Sequence, residues 1–356
     1  MQIPDLEPGL SPCEIAPEQF ASYCWEVHEA MRGDLARYLG DVVNDNRGML
    51  YGLFDARGDY LGRVAVEIHP GYLTRGRPCA TFGWLGGLKK RAVTALLSIA
   101  STWASKQIIL YEGRTRRNTL LRGPVSFPKH LGGLGCQVAG FNHPRMAGVS
   151  TNRPALGSWI GTAGFKADAP YACLDVSDMP VWKSGEKVVA KTLTLTYFDL
   201  EEWTQRENEV LDLVGNVFGS FLPDATPGRF HDILVAVRTH PKAKYFIPAA
   251  IDASGKLVGF ILCWPNMWEY WGGHTVTGVN IDTAIISPAY RGKGLFAALN
   301  NMGQRNGRFY GVPYYEGTNI WYANEAAVKS IFPHGTVVRR HVVFQRRLKK
   351  GSLLTE

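Results

Sequence analysis

The sequence predicts an α/β chain with a mixed sheet, built from two copies of one αβ unit. Three observations carry that prediction. The chain has 356 residues, more than one ordinary domain holds. A hairpin signature occurs twice, as Asp55-Ala56-Arg57-Gly58 and Asp252-Ala253-Ser254-Gly255, 197 positions apart, each with a further glycine seven residues after the aspartate (Gly62 and Gly259). Asp and Gly favour such turns anyway, but both copies continue in the same order: strand, glycine-containing basic turn, helix. The third observation is the stretch Val279–Gly307, where that order is clearest.

Residues 1–47 hold a helical pattern near Ala16–Leu39, with apolar positions at Phe20, Tyr23, Val27 and Met31. The first hairpin pairs Met49–Phe54 with Tyr60–Ile68. A strand at Ala80–Leu85, a turn at Gly86–Arg91 and a helix at Ala92–Lys106 follow. The glycine-rich, aromatic Leu121–Phe141 reads as an irregular loop, either on the surface or lining a cleft between domains, with His130 and His143 within or just beyond it. The polar Ser177–Lys191 marks a join, giving domains 1–180 and 181–356.

The second unit opens with a strand at Thr192–Phe198 and helices near Asp199–Phe218 and Pro227–His240. Its hairpin pairs Tyr245–Ile251 with Lys256–Trp264, and an aromatic run of Trp264, Trp268, Tyr270 and Trp271 follows, fit for core or for capping a pocket. From Val279 to Ile285 the residues alternate, with Val279, Ile281, Thr283 and Ile285 on one face and Asn280, Asp282 and Ala284 on the other. Pro288 ends that strand, since it brings no backbone donor. Leu295, Leu299 and Met302 then form the buried stripe of a helix. Next come a strand at Pro313–Trp321 and a helix at Asn324–Phe332, with Asn324 suited to be its N-cap.

Between strand and helix lies Arg291-Gly292-Lys293-Gly294-Leu295. Two glycines let the backbone turn sharply and approach a ligand. The first N–H groups of the helix lack intrahelical partners and carry the positive end of its dipole. With the charges of Arg291 and Lys293 added, the segment reads as a phosphate cradle, the alternative being a basic βα turn with no ligand.

The segment Tyr290–Leu295 resembles the acyl-CoA signature of the GNAT acyltransferase superfamily, R/Q-x-x-G-x-G/A: Arg291 and Gly294 match, and Phe296 stands where the signature has a small residue. The resemblance covers the C-terminal unit well and the N-terminal unit through the repeated order alone, so the chain looks like a tandem GNAT protein. Its N-terminal turn lacks the signature, which implies a degenerate domain that leaves the donor to the second one and supplies a wall of the acceptor site.

The resemblance implies that the strand after the helix splays from the preceding one. The acyl-pantetheine arm would lie in the gap, held by backbone groups of Ala284, Ile285 and Ile286, with the pyrophosphate on Gly292, Lys293, Gly294 and Leu295 beside Arg291. Asn324 resembles the asparagine that contacts the arm. The family's tyrosine acid would fall seven residues further on, where this chain has Ile331; either Tyr322 replaces it or the thiolate leaves unaided. Attack of an amine on a thioester needs a base to neutralise the amine, and either Glu316 or Asp282, on the two central strands, is placed for that role; His274 is a weaker candidate.

The implied function is N-acylation of a small-molecule or peptide amine by acyl-CoA. The alternatives are a donor carried by an acyl carrier protein or an aminoacyl-tRNA, or a module that binds CoA or RNA without catalysis. The formal charge of +8, spread as 19 basic and 16 acidic residues in 1–180 and 20 and 15 in 181–356, suits any of these anionic partners. Arg339, Arg340, Arg346, Arg347, Lys349 and Lys350 read as a solvated strand end. Six cysteines without CxxC or CxxH spacing argue against a zinc site or a disulfide framework, and no metal is expected. Without an apolar run of about 18 residues or a leader-like start, a cytoplasmic protein with no membrane partner is expected.

Overall fold

The computed structural model describes residues 7–183, 193–218, 222–225, 229–240 and 242–348. It is a mixed α/β chain of two compact units. The first comprises Met1–His143, Gly148–Tyr171 and Arg339–Glu356, and the second comprises Pro144–Ala147 and Ala172–Val338. The C-terminal strand from Arg339 onward therefore belongs to the first unit, which no single cut along the chain describes. Most of the expected join, 184–191, lies outside the described residues, as do Lys349 and Lys350.

The first unit contains β1 (Leu10–Glu14), α1 (Pro17–Ser22), α2 (Arg32–Asn44), β2 (Gly48–Asp55), β3 (Tyr60–Glu67), β4 (Ala80–Gly87) and α3 (Lys90–Lys106). After these come β5 (Ile108–Tyr111), β6 (Arg114–Arg117), β7 (Leu120–Gly123), β8 (Val125–Ser126), β9 (Gly133–Leu134), β10 (Cys136–Ala139) and α4 (Leu156–Thr162). Strand β11 (Lys166–Asp175) leads into the second unit, and β17 (Thr336–Arg347) leads back. The strands run β1-β2-β3-β4-β7-β17, antiparallel except that β4 and β7 are parallel. Leu53, Val64, Phe82 and Leu121 pack with Val93, Leu96 and Leu97 of α3 in one core.

The single helix expected over Ala16–Leu39 is broken into α1, a 3-10 turn at Glu29–Met31 and α2. Tertiary contacts decide this. The guanidinium of Arg63, 1 % exposed, donates to Cys24 Sγ at 3.0 Å and to Tyr60 Oη at 3.2 Å, and pairs with Glu26. Holding Cys24 and Glu26 on a buried charge outweighs the local periodicity.

The second unit contains β12 (Leu193–Thr196), α5 (Leu200–Gln205), α6 (Glu207–Phe218), α7 (Arg229–Thr239), β13 (Ala249–Asp252), β14 (Leu257–Pro265), α8 (Met267–Trp271), β15 (Gly278–Ile286), α9 (Leu295–Phe309), β16 (Tyr314–Trp321) and α10 (Glu325–Ser330). Strand order is β16-β15-β14-β13-β12, again with one parallel pair, β15 with β16. Asp199 caps α5 in a reciprocal box with Glu202. Residues 243–246 form a 3-10 turn, so the second hairpin's first strand begins at Ala249 and not at Tyr245. Two cores flank the sheet: Trp203, Val210, Phe260, Leu262, Trp264 and Ile285 in one, Ile261, Cys263, Val279, Leu295 and Leu299 in the other.

The repeat is real at atomic detail. In the first hairpin Asp55 Oδ1 accepts from the N–H groups of Arg57 and Asp59, and Gly58 has φ +83°. In the second, Asp252 Oδ1 accepts from Ser254 and Lys256, and Gly255 has φ +81°. Each turn needs glycine where the backbone is left-handed.

Candidate functional site

Strands β15 and β16 start as a parallel pair and then part. Gly278 faces Tyr314, Val279 faces Tyr315, Asn280 faces Glu316 and Ile281 faces Gly317; there the register ends, although β15 runs on to Ile286 and β16 to Trp321. On its other side β15 stays paired with β14 as far as Ile286. In a strand, alternate residues turn N–H and C=O to opposite edges, so some backbone groups of 282–286 face the gap and not β14.

The β14–β15 register slips between Leu262↔Thr283 and Cys263↔Ile281, leaving Asp282 as the extra residue of a bulge. This corrects the expected alternation. Val279 packs in the core that holds Leu295 and Leu299, whereas Ile285, beyond the bulge, packs with Phe260 and Trp203 on the opposite face. One inserted residue inverts the side-chain phase.

A buried polar layer lies at the fork. Glu316 and Asn280 are 0 % exposed, and Asp282 and Thr318 are buried as well. Tyr314, half-buried, donates its hydroxyl to Glu316 Oε2 at 2.7 Å. Thr318 donates to Asn280 Oδ1 at 2.8 Å, and Asn280 Nδ2 donates to the Ala147 carbonyl at 2.8 Å. Both carboxylates expected as bases thus sit at the fork, Glu316 one residue before its last rung and Asp282 one residue beyond it.

The turn at the end of β15 has the shape its sequence requires. Gly292 (φ +69°) and Gly294 (φ +80°) are both left-handed, and Gly294 is the N-cap of α9 with no side-chain cap. The first N–H groups of that 15-residue helix are therefore open to an anion. Space around a Cβ built at Gly292 is empty to 4 Å. Arg291, Gly292 and Lys293 are exposed. Arg291 Nε donates to the Ile286 carbonyl at 3.3 Å, and the Lys293 ammonium lies 5.7 Å from the Tyr290 ring centre. Leu295, 1 % exposed, anchors the turn to the core.

Of the other expected residues, Ala284 is exposed, Ile285 buried and Ile286 half-buried. Asn324 caps α10, its Oδ1 accepting from Ala327 N at 3.4 Å. Tyr322 is half-buried with its ring 5.5 Å from that of Phe332, and Ile331 packs against the same core. His274 is exposed. Trp264 and Trp271 pack into the core beside Phe260, and Arg145 stacks on Trp268 at 4.8 Å, so this run builds structure around the hairpin's end.

Sequence reasoning missed Asn319. It is left-handed (φ +52°) inside β16, and its Oδ1 and Nδ2 are buried with no hydrogen-bond partner among the described residues. A non-glycine residue in this conformation within a strand is uncommon. Composition alone gives no signal for it. Asn280 and Thr318 were legible only as polar residues in strands.

The first unit has the same fork but fills it. Pairing of β4 with β7 ends after Ala80↔Leu121 and Thr81↔Arg122. A Cβ at Gly83 would then run into the Val125 carbonyl. Trp84 N donates to Ser126 Oγ at 2.8 Å, and its indole N–H to the Phe127 carbonyl at 2.7 Å. Residues 121–127 and 129–137 are buried, so this part of Leu121–Phe141 is neither surface loop nor open cleft wall. Gly86 and Gly87 are not left-handed, and α3 starts from an extended Lys89. Arg339, expected to be solvated, is 4 % exposed and donates to the His143 carbonyl.

Comparison with solved structures shows the fold. A tandem GNAT protein of the clavulanic acid biosynthesis pathway superposes over 96 % of this chain and 99 % of its own, with a TM-score of 0.57 at 13 % identity. The chain has the tandem GNAT fold. The GCN5-related glucosamine N-acetyltransferase region of a fungal multi-domain GH3 β-N-acetylglucosaminidase matches over 96 % of this chain, with a TM-score of 0.60 at 11 % identity. This chain spans only 38 % of that longer protein. A GCN5-related N-acetyltransferase from Sphaerobacter thermophilus matches over 97 % of this chain and 98 % of its own, with a TM-score of 0.52 at 13 % identity. No family model and no curated protein matches the sequence. In GNAT terms β15 and β16 are the forked central strands of the second unit. Among the described residues no helix is long and apolar enough to cross a membrane, and no three His, Cys, Asp or Glu side chains are grouped to hold a metal ion.

Proposed function

We propose that the protein is an N-acyltransferase that moves an acyl group from acyl-CoA to an amine of a small molecule or peptide, with its donor site in the second unit. The observation that carries this reading is the parting of β15 and β16 after Ile281↔Gly317, with β15 leading to a left-handed, basic glycine turn at a helix start, against the filled fork of the first unit. The fork fits an extended acyl-pantetheine arm. Backbone groups of Thr283–Ile286 that face away from β14 offer it hydrogen bonds, the Asn319 carboxamide, buried and without a hydrogen-bond partner among the described residues, matches its amides, and the 292–295 turn offers N–H groups to a pyrophosphate.

Acyl-CoA would supply an activated thioester, whose C–S bond breaks with its electron pair on sulfur as the amine forms the new C–N bond, one amine proton ending on the thiol. The chain's own part is to hold the reactants and to accept the other proton of the starting ammonium. Glu316 is the base we assign, with Asp282 at the bulge as a neighbouring carboxylate that sets the field. Tyr322 is packed on Phe332 and is assigned no acid role; a CoA thiolate leaves readily enough without one.

Calorimetric titration with CoA and acetyl-CoA tests the reading. Wild type should bind in the micromolar range, and Gly294→Trp, which fills the cradle, should not. Absence of binding by wild type would turn the search to donors on acyl carrier protein or aminoacyl-tRNA.

A further inference from the structure

We infer that Tyr314 is the proton conduit of this site: the acceptor's ammonium gives its proton to the Tyr314 hydroxyl as that hydroxyl's own proton passes to Glu316. The inference rests on the acyltransferase reading above and goes beyond it in naming how the base is reached.

Glu316 is 0 % exposed and lies inside the sheet. For it to touch an ammonium directly, the cation would have to leave water entirely, which carries a large desolvation penalty. Tyr314 stands two residues earlier on the same face of β16, half-buried, with its hydroxyl already donated to Glu316 Oε2 at 2.7 Å. It is thus a hydrogen-bonded step between the enclosed carboxylate and the wetter side of the strand. The surrounding layer holds the pair in place. Asn280 faces Glu316 across the parallel ladder, and its amide is fixed at both ends, by the Thr318 hydroxyl and the Ala147 carbonyl. Backbone pairing of Tyr314 N with the Thr277 carbonyl at 3.1 Å pins the start of the strand.

The step balances without any co-reactant. One N–H bond of the ammonium breaks and an O–H bond forms on Tyr314; the former Tyr314 O–H breaks and an O–H bond forms on Glu316. The amine becomes neutral, the carboxylate becomes a carboxylic acid, and Tyr314 is neutral before and after. Reversal of the same relay returns that proton to solvent after the acyl transfer, so the phenol never has to carry a charge.

The test uses acetyl-CoA with a panel of n-butylamine, glucosamine and a lysine peptide, read as thiol release by wild type, Tyr314→Phe, Glu316→Gln and the double variant. Acetyl-CoA affinity by calorimetry serves as the check on folding. Expected are a loss of about 100-fold or more in kcat for each single variant with donor affinity within about twofold, and a double variant no worse than the poorer single one. The proton inventory in mixed light and heavy water should be curved in wild type, as two protons move together. Site-specific 3-fluorotyrosine at 314 should keep turnover and the curvature, which covers the case in which Tyr314→Phe does not fold. Near-wild-type kcat in Tyr314→Phe with loss in Glu316→Gln would overturn the relay and leave the base standing. Losses that multiply in the double variant, or a linear inventory in wild type, would overturn it too. If wild type binds acetyl-CoA but acetylates none of the amines, relay and enzymatic reading fall together.

Discussion

Ile281 of β15 faces Gly317 of β16, and that pair is the last rung between the two strands. The irregularities that part them sit just beyond it: the bulge at Asp282 on one strand and the left-handed Asn319 on the other. A bulge bends its strand and raises its twist, and a left-handed residue breaks the extended course of the other. The fork is therefore written into both strands and does not need a ligand to open it.

Asn319 holds a conformation that costs a side chain about 1 kcal/mol or more, and its carboxamide is buried without a hydrogen-bond partner among the described residues. Asn319→Gly should remove both penalties, so thermal unfolding should show a variant as stable as wild type or more so. CoA affinity should fall by about five- to tenfold if the carboxamide serves the donor. A variant with unchanged affinity would mean that the residue only shapes the fork.

Gly292 tests the cradle separately from the fork. Space around its missing Cβ is empty, but its φ of +69° disfavours any L side chain. Gly292→Ala should lower stability by about 1 kcal/mol, seen as a fall of a few degrees in Tm, and should weaken CoA binding by pulling the turn out of shape. Gly86→Ala in the first unit, where a Cβ would meet the Arg63 guanidinium, should affect stability and leave CoA affinity unchanged.

Much of this is legible in the sequence. The duplicated hairpin turns, the order of elements and the glycine-basic turn all depend on local chemistry, in which Asp, Gly and charge act within a few residues of one another. What sequence could not show depends on distant partners. The helix expected over Ala16–Leu39 gives way because Arg63 claims Cys24 and Glu26. The alternation of β15 fails at Asp282 because β14 sets a register with one residue to spare. The filled fork of the first unit is invisible because the residues that fill it, Val125–Phe127, lie in a stretch that reads as an irregular glycine-rich, aromatic loop.

Asp168 gives the first unit a dependence on acid. Its burial alone would raise the carboxyl, but the hydrogen bond and charge of Arg122 at 2.6 Å, with Arg75 at 3.0 Å, bring it below the usual value. A carboxyl lowered in the folded state stabilises fully above the pH at which the unfolded chain titrates, near 4, and that contribution is lost as pH falls through the folded value. Arg122 is 0 % exposed, so Asp168→Asn, which leaves that charge short of its partner, should cost about 3 kcal/mol at pH 7. Denaturant titrations from pH 3 to 7 should show a steeper slope in wild type than in the variant, since Asp55 and Asp252, whose carboxyls are also held below the usual value by hydrogen bonds, keep their share in both.

Glu67 has the opposite sign. Burial pushes its carboxyl up to about 7, against the hydrogen bond from Tyr38 at 2.9 Å and the charge of Arg47 at 3.5 Å. The folded chain therefore binds this proton more tightly than the unfolded chain does. Its favourable contribution is complete below about pH 4.5 and is lost as pH rises to about 7, above which the carboxylate is held in a place that burial penalises. Glu67→Gln keeps an acceptor for the Tyr38 hydroxyl and removes the charge. Its stability relative to wild type should rise between pH 5 and 8, by on the order of 1–3 kcal/mol across that window, as read from urea midpoints at each pH. A difference that stays flat over the window would show that Arg47 keeps the carboxylate ionised throughout, so that its charge and not burial decides the titration of Glu67.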